Sequence, residues 1–315
     1  MVSPRRIRPV VTAAALLLVS ALAAYAQKAP EQRASASAKP AAGYGGTAYC
    51  VQCHKKEAAS FGQTAKGSLF LNHPRTDAEK VGCETCHGPG KEHGESGGDV
   101  LGQMVSFRRG TKAPVAERNA ICLNCHQKTA RTLWQGSTHE SRNLACTDCH
   151  NVMHPSSERG NLKQQTVLET CGNCHAQKQA QVTRASHMPV GENKMECTSC
   201  HNPHGSANEK LLLASSTNET CFTCHAEKRG PFLWQHSPVV ESCSNCHDPH
   251  GSNKEKLLKV ARPRLCQQCH PTAHGGSLAK PGDAASVRFT YNKSCTNCHV
   301  NLHGSNHPAG AFFTR

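Results

Sequence analysis

Apolar residues in this chain seldom run together and seldom recur with a period. The one long apolar run covers residues 10–24, behind Arg5, Arg6 and Arg8, and it ends in Ala24-Tyr25-Ala26. A basic start, an apolar stretch and an A-x-A site predict a secretory signal peptide over residues 1–26. The alternative, a membrane anchor, needs roughly 20 apolar residues, more than this run supplies. Residues 27–47 are rich in Ala, Ser, Pro and Gly and have no apolar period, which predicts a flexible lead-in. From residue 48 to 315 the apolar positions fall in short pieces broken by Gly, Pro and Asn, such as Pro203 and Gly230-Pro231. That pattern predicts one domain of short helices joined by loops. Strand-like alternation is lacking, so essentially no β-sheet is expected.

Composition sharpens the picture. Aromatic residues are 4% of the chain and the mean hydropathy is −0.55. Side chains of this kind do not fill an ordinary protein core, so something else must occupy the interior.

The cysteines say what. All 20 fall into ten CxxC pairs, and His follows every pair: Cys50, Cys53 and His54; Cys83, Cys86 and His87; Cys122, Cys125 and His126; Cys146, Cys149 and His150; Cys171, Cys174 and His175; Cys197, Cys200 and His201; Cys221, Cys224 and His225; Cys243, Cys246 and His247; Cys266, Cys269 and His270; Cys295, Cys298 and His299. Cysteine-rich exported chains are often disulfide scaffolds, and CxxC pairs also occur in zinc sites. Neither needs a His after each pair, whereas covalent c-type haem does: two thiols add to the macrocycle and the adjacent His binds the iron. Ten such groups predict that haem is the core and that the polypeptide without it is largely disordered. The formal charge of +14 falls to +11 without Arg5, Arg6 and Arg8. About twenty haem propionates against roughly ten ferric charges then bring the whole near neutrality, which argues against a nucleic-acid footprint.

The motifs group into five two-haem modules, approximately 50–93, 122–154, 171–204, 221–250 and 266–307. The first four each hold one free His between their motifs and one after them: His73 and His93, His139 and His154, His187 and His204, His236 and His250. The fifth departs from that spacing, with His274, His303 and His307. Direct repeats support the grouping. CHNPHGSANEKLL at 200–212 recurs as CHDPHGSNKEKLL at 246–258, Glu169-Thr170-Cys171 recurs as Glu219-Thr220-Cys221, and Leu133-Trp134-Gln135 recurs as Leu233-Trp234-Gln235. Packing or stacking near a haem are the alternatives for Trp134 and Trp234.

Of the 21 histidines, ten follow a CxxC and eleven are free. Ten closed haems need ten further ligands, so the free histidines suffice with one to spare among His274, His303 and His307. Surface positions and propionate partners are the bland alternatives for any one of them. His204 stands three residues after His201, a reach of at most about 11 Å, too short to pass round a haem edge. It must therefore serve another haem, and the same holds for His154 and His250 and, less tightly, for His303 and His274. Met104, Met153, Met188 and Met195 are the other ligand types at hand, and with histidine in excess none is expected to bind iron. Haems closed by two histidines offer substrate no vacant position, which favours electron transfer and predicts no catalytic residue.

CHAEKRGPFLWQHSP at 224–238, CHNPHGS at 200–206, LCQQCH at 265–270 and HGSNHPAG at 303–310, within ten CxxCH motifs, resemble the decahaem cytochromes of the MtrA, DmsE, MtoA and PioA family. The resemblance covers the chain beyond the signal peptide. It implies a periplasmic protein of a Gram-negative bacterium that enters an outer-membrane β-barrel porin as an elongated haem wire. An extracellular multihaem cytochrome and periplasmic electron donors or acceptors are the further partners it implies, with extracellular metal reduction or Fe(II) oxidation as the end reactions. A soluble periplasmic shuttle and a multihaem reductase are the competing functions.

Overall fold

The first motif of each module lies toward the C-terminal end of a short helix. Thr47–Val51 carries Cys50, Val115–Leu123 carries Cys122, Val167–Gly172 carries Cys171, Thr217–Phe222 carries Cys221 and Arg264–Gln267 carries Cys266. The recurrent Glu-Thr-Cys explains two of these starts. The Thr166 hydroxyl accepts from the Glu169 N–H while the Glu169 carboxylate reaches back to the Thr166 N–H, and Ser216 accepts in the same way from Glu219. Such caps satisfy amides that the first helical turn leaves without partners. After the motif, His54, His175 and His225 leave the helical region with φ near −100° and ψ near 50°, and the next short helix begins behind each of them.

This computed structural model describes residues 42–271 and 294–314; the expected signal peptide, most of the expected lead-in and His274 lie outside the described residues. From Gly43 onward the chain forms one unit. The second motif of each module forms a single helical turn: Glu84–His87, Cys146–Cys149, Cys197–Ser199, Cys243–Asn245 and Cys295–Asn297. In the three middle modules the chain then loops back and bridges the motif histidine to a leucine, His150 to Leu162, His201 to Leu212 and His247 to Leu258. Among the described residues the bridges are isolated and no strand forms. The fold consists of short helices and loops in repeated modules.

Two buried asparagines tie the motifs within a module. Asn119 donates to the Leu144 carbonyl at 2.9 Å and accepts from the Cys146 N–H at 2.8 Å. Asn218 donates to the carbonyls of Val239 and Val240 at 3.0 Å and accepts from the Cys243 N–H at 2.7 Å. Each stands three residues before its module's first cysteine, so one side chain fixes the start of the second motif against the first.

Little apolar core surrounds these links. Phe61, Trp134, Ala145, Val182 and Leu258 are the buried hydrophobic residues among those described, and no large side chain is fully buried. Trp134 is buried while Trp234, its counterpart in the repeat, is 43% exposed. No helix among the described residues is long and apolar enough to cross a membrane.

Candidate functional site

The ten motifs adjoin one another in the order in which they occur in the chain. Within every module the first cysteines of the two motifs interact: Cys50 with Cys83, Cys122 with Cys146, Cys171 with Cys197, Cys221 with Cys243 and Cys266 with Cys295. Hydrogen bonding to the partner thiol and burial push Cys50, Cys122 and Cys171 far up, while Cys83, Cys146 and Cys197 are drawn down by the same bond. Between modules the second cysteine of one motif feels that of the next: Cys86 with Cys125, Cys149 with Cys174, Cys200 with Cys224 and Cys246 with Cys269. No disulfide joins any of the twenty cysteines, and no cluster of His, Cys, Asp and Glu fit for a bare metal ion occurs among the described residues.

The motif histidines are oriented in two ways. In the second motif of every module, Nδ1 meets a backbone carbonyl: His87 with Val105 at 3.1 Å, His150 with Gly160 at 2.6 Å, His201 with Lys210 at 2.8 Å, His247 with Lys256 at 2.7 Å and His299 with Phe312 at 2.6 Å. A proton fixed on Nδ1 leaves Nε2 as the lone-pair nitrogen and sets the ring's direction, as it does for metal-binding histidines. In the first motifs of modules one, three and four the histidine instead stands just before the next short helix, and the rings of His54, His126, His175 and His270 face His93, Lys66, His139 and His236.

Six pairs of imidazoles meet, five of them across modules and one, His54 with His93, within the first. The ring centres are 6.2 Å apart for His54 and His93, 6.2 Å for His139 and His175, 6.0 Å for His150 and His204, 6.1 Å for His201 and His250, 6.1 Å for His236 and His270, and 6.2 Å for His247 and His303. Every pair joins one motif histidine to one free histidine. His204 faces His150 rather than its near neighbour His201, and His250 faces His201 rather than His247. Two rings on opposite faces of one iron, each with its nitrogen about 2 Å from the metal, have centres roughly 6 Å apart. The spacing therefore fits a haem held between each pair, with the CxxC thiols beside it.

The trailing histidines reach into the preceding module through a close backbone contact. Gly205, after His204, has φ 122°, and a Cβ there would lie 1.9 Å from the Leu133 carbonyl oxygen. Gly251, after His250, has φ 140°, with the Gln181 carbonyl oxygen at the same 1.9 Å. Only glycine permits both the angle and the approach. Further links reinforce these joints: His139 Nδ1 with the Pro203 carbonyl at 2.7 Å, Ser186 paired with Ser252, and Gln181 donating to Asp248 at 3.1 Å.

The other expected ligands stand apart from these pairs. His154 meets Ser60 Oγ at 2.9 Å through Nδ1, so it too crosses to the preceding module. His187 holds Glu192 through Nε2 at 2.8 Å, and that carboxylate raises its pKa. His307 accepts from the Ala309 N–H at 3.1 Å. His73 is exposed, and its ring has no hydrogen-bond or ring partner among the described residues. His126 meets a residue that a count of histidines passes over: Lys66 Nζ donates to His126 Nε2 at 2.8 Å.

Electrostatics suit metal binding. Burial pushes His87, His126, His204, His236, His250 and His303 below the ordinary imidazole value, His204 to about 4. These rings are neutral at physiological pH, the form that offers a lone pair to iron. Arg118 and Arg131 each bury an Nε with no partner among the described residues, which suits guanidiniums waiting for an anionic group such as a propionate.

Comparison with known proteins agrees with this arrangement. The doubled CXXCH motif family matches residues 187–230 and 236–275, the NrfB-like c-type cytochromes match 83–166, cytochrome c7 and related cytochromes match 132–202, and the cytochrome c554 and c-prime family matches 19–88. The multiheme cytochrome MtrA of Shewanella baltica is 39% identical over 272 residues, covering 84% of this chain and 80% of that protein. Cytochrome c-554 of Nitrosomonas europaea is 31% identical over 117 residues, 34% of this chain and 46% of its own. The high-molecular-weight cytochrome c of Nitratidesulfovibrio vulgaris is 26% identical over 110 residues, 35% of this chain and 18% of its own.

Proposed function

Because the chain belongs to the MtrA-like family of multihaem c-type cytochromes, we propose that it carries ten covalent haems and conducts electrons across an outer membrane inside a β-barrel porin. The observation that carries this is the contiguity of the ten motifs in sequence order, within and between modules. A haem bound at each motif supplies a one-electron ferric/ferrous couple. The residues do the rest.

The cysteines would anchor each group, and the motif histidine would bind its iron. In the six pairs the free histidine would hold the iron as well, which would leave those six sites no open position for substrate. A regular exchange emerges: the free His inside a module serves the first site of the next module, and the trailing His serves the second site of the module before. His139 for His175 and His236 for His270 follow the first rule. His204 for His150, His250 for His201 and His303 for His247 follow the second. By the same register His154 serves His87 and His187 serves His225, while His274 or His307 serves His299. His93 closes the first site, His54, from within its own module.

A polar chain of this kind sits at membrane depth only when a closed barrel shields its backbone, which supports a porin partner and a periplasmic origin. Electrons pass outward to extracellular ferric minerals or a multihaem cytochrome, or inward from ferrous iron. Detergent extraction tests the proposal. Co-purification of the holoprotein with a barrel, carrying ten haems by intact mass and giving an elongated scattering profile, is expected. Recovery wholly in the osmotic-shock fraction as a globular particle would replace the conduit with a soluble shuttle.

A further inference from the structure

We propose that Arg131 anchors a propionate of the fourth haem, the one attached at Cys146 and Cys149 and held between His150 and His204. The inference rests on the multihaem reading above and deepens it by assigning a protein partner to that group's propionate edge.

Placement is the first observation. Arg131 ends the helical turn Thr129–Arg131 in the second module, and the third module clasps that segment at two points. Asn202 donates from Nδ2 to the Ala130 carbonyl at 2.8 Å, and Gly205 lies against the Leu133 carbonyl. His204 stands between Asn202 and Gly205 in the sequence, so the clasp that brings His204 to His150 also sets Arg131 beside it. The guanidinium charge acts on the His204 ring.

Want of a partner is the second. The Arg131 Nε is buried with no hydrogen-bond partner, and Nη2 meets only the Thr129 hydroxyl, at 3.4 Å. None of the ion pairs among the described residues includes Arg131. A cation drawn out of water without a counter-charge is costly, and a planar guanidinium matches the two oxygens of a carboxylate.

The edge it faces is the third. Thioether bonds hold a c-type haem at one edge, and both propionates leave the opposite one. The charged side chains that act on the Cys149 thiol are Asp148 and Lys163. Arg131 acts instead on the rings of His204 and His126, away from the attachment edge.

The arrangement recurs. Lys178, three residues after His175, acts on His250, and Lys228, three residues after His225, acts on His303. Gly251 and Gly304 close on Gln181 and Phe232 as Gly205 closes on Leu133. In each module a cation behind the first motif meets the histidine that returns to the second site. Lys178 holds the Gln181 side chain at 2.8 Å and Lys228 stands 3.9 Å from Glu227, so of the three it is Arg131 whose charge awaits a partner.

The test uses the holoprotein with His204→Met as a marker, since methionine there moves the potential of one haem away from the rest and so identifies it in spectroelectrochemistry. If His204→Met leaves every potential in place, the paired reading of this site falls and the proposal with it. With the haem marked, adding Arg131→Gln should shift its potential downward, because loss of a cation favours the ferric state, and intact mass should show every haem still attached. Adding Arg131→Lys instead should hold the potential close to that of the marked parent. A potential unmoved by Arg131→Gln, a shift confined to another haem, or an Arg131→Lys variant that behaves as Arg131→Gln would overturn the proposal and leave the multihaem reading standing. Cryo-electron microscopy of the unaltered holoprotein gives a readout that needs no variant to fold. A guanidinium nitrogen should lie about 3 Å from a propionate oxygen of that haem, and a guanidinium turned to another haem or to solvent would overturn the proposal.

Discussion

The joint between the third and fourth modules and the joint between the first and second use the same parts with different outcomes. At the former, His250 comes back from the fourth module to His201 with ring centres 6.1 Å apart, and Gly251 lets its backbone lie against that of Gln181. At the latter, His154 comes back as far as Ser60 Oγ, and the forward-reaching side chain on His126 is an amine. The difference teaches that the repeat keeps a direction of reach more strictly than a residue type. His139 and His236, 13 and 11 residues beyond a motif histidine, arrive at the first-motif histidine of the next module.

The comparison breaks most visibly where attachment itself is removed. Changing Cys197 and Cys200 together to Ala is expected to cost one whole haem by intact mass, and the interacting neighbours Cys171 and Cys224 should keep theirs. His204→Met comes next. It should raise the potential of one haem by a sizeable part of the roughly 0.8 V that axial ligands command, with all ten haems still attached. Spectroelectrochemistry checks it, and unaltered potentials would remove His204 from the site of His150.

Smaller effects probe the scaffold. Gly251→Ala sets a Cβ 1.9 Å from the Gln181 carbonyl oxygen at φ 140°, and should destabilise that joint by about 3 kcal/mol, read as a shift in denaturant midpoint. Asn218→Ala leaves the Cys243 N–H without its acceptor and should cost about 2 kcal/mol. Ser137→Ala and Thr64→Ala remove matching helix caps and should each cost about 1 kcal/mol. Near-equal values would sharpen the equivalence of the two scaffolds, and a cost confined to Ser137 would break it.

Much of the architecture is legible in the sequence itself. Regular CxxCH spacing, interrupted apolar pieces and scarce aromatics lead to short helices, loops and no sheet because each of these is local. The reach of three residues is enough to tell that His204 and His201 do not share a haem. Destinations are less legible. Which motif a free histidine faces depends on the path of the returning loop, on left-handed turns at Lys210 and Lys256, and on the backbone approach at Gly205 and Gly251. The paired Leu-Trp-Gln segments are equally opaque, since Trp134 is buried and Trp234 is not although their immediate neighbours match.

The central claim is a conductor in which every site is needed by the next. The most direct measurement places the holoprotein and its barrel in liposomes that enclose a redox dye, with a membrane-impermeant reductant outside. The parent should reduce the enclosed dye, and the variant lacking Cys197 and Cys200 should fall to the rate of liposomes with the barrel alone. Dye reduction by that variant at the parent's rate would contradict the claim.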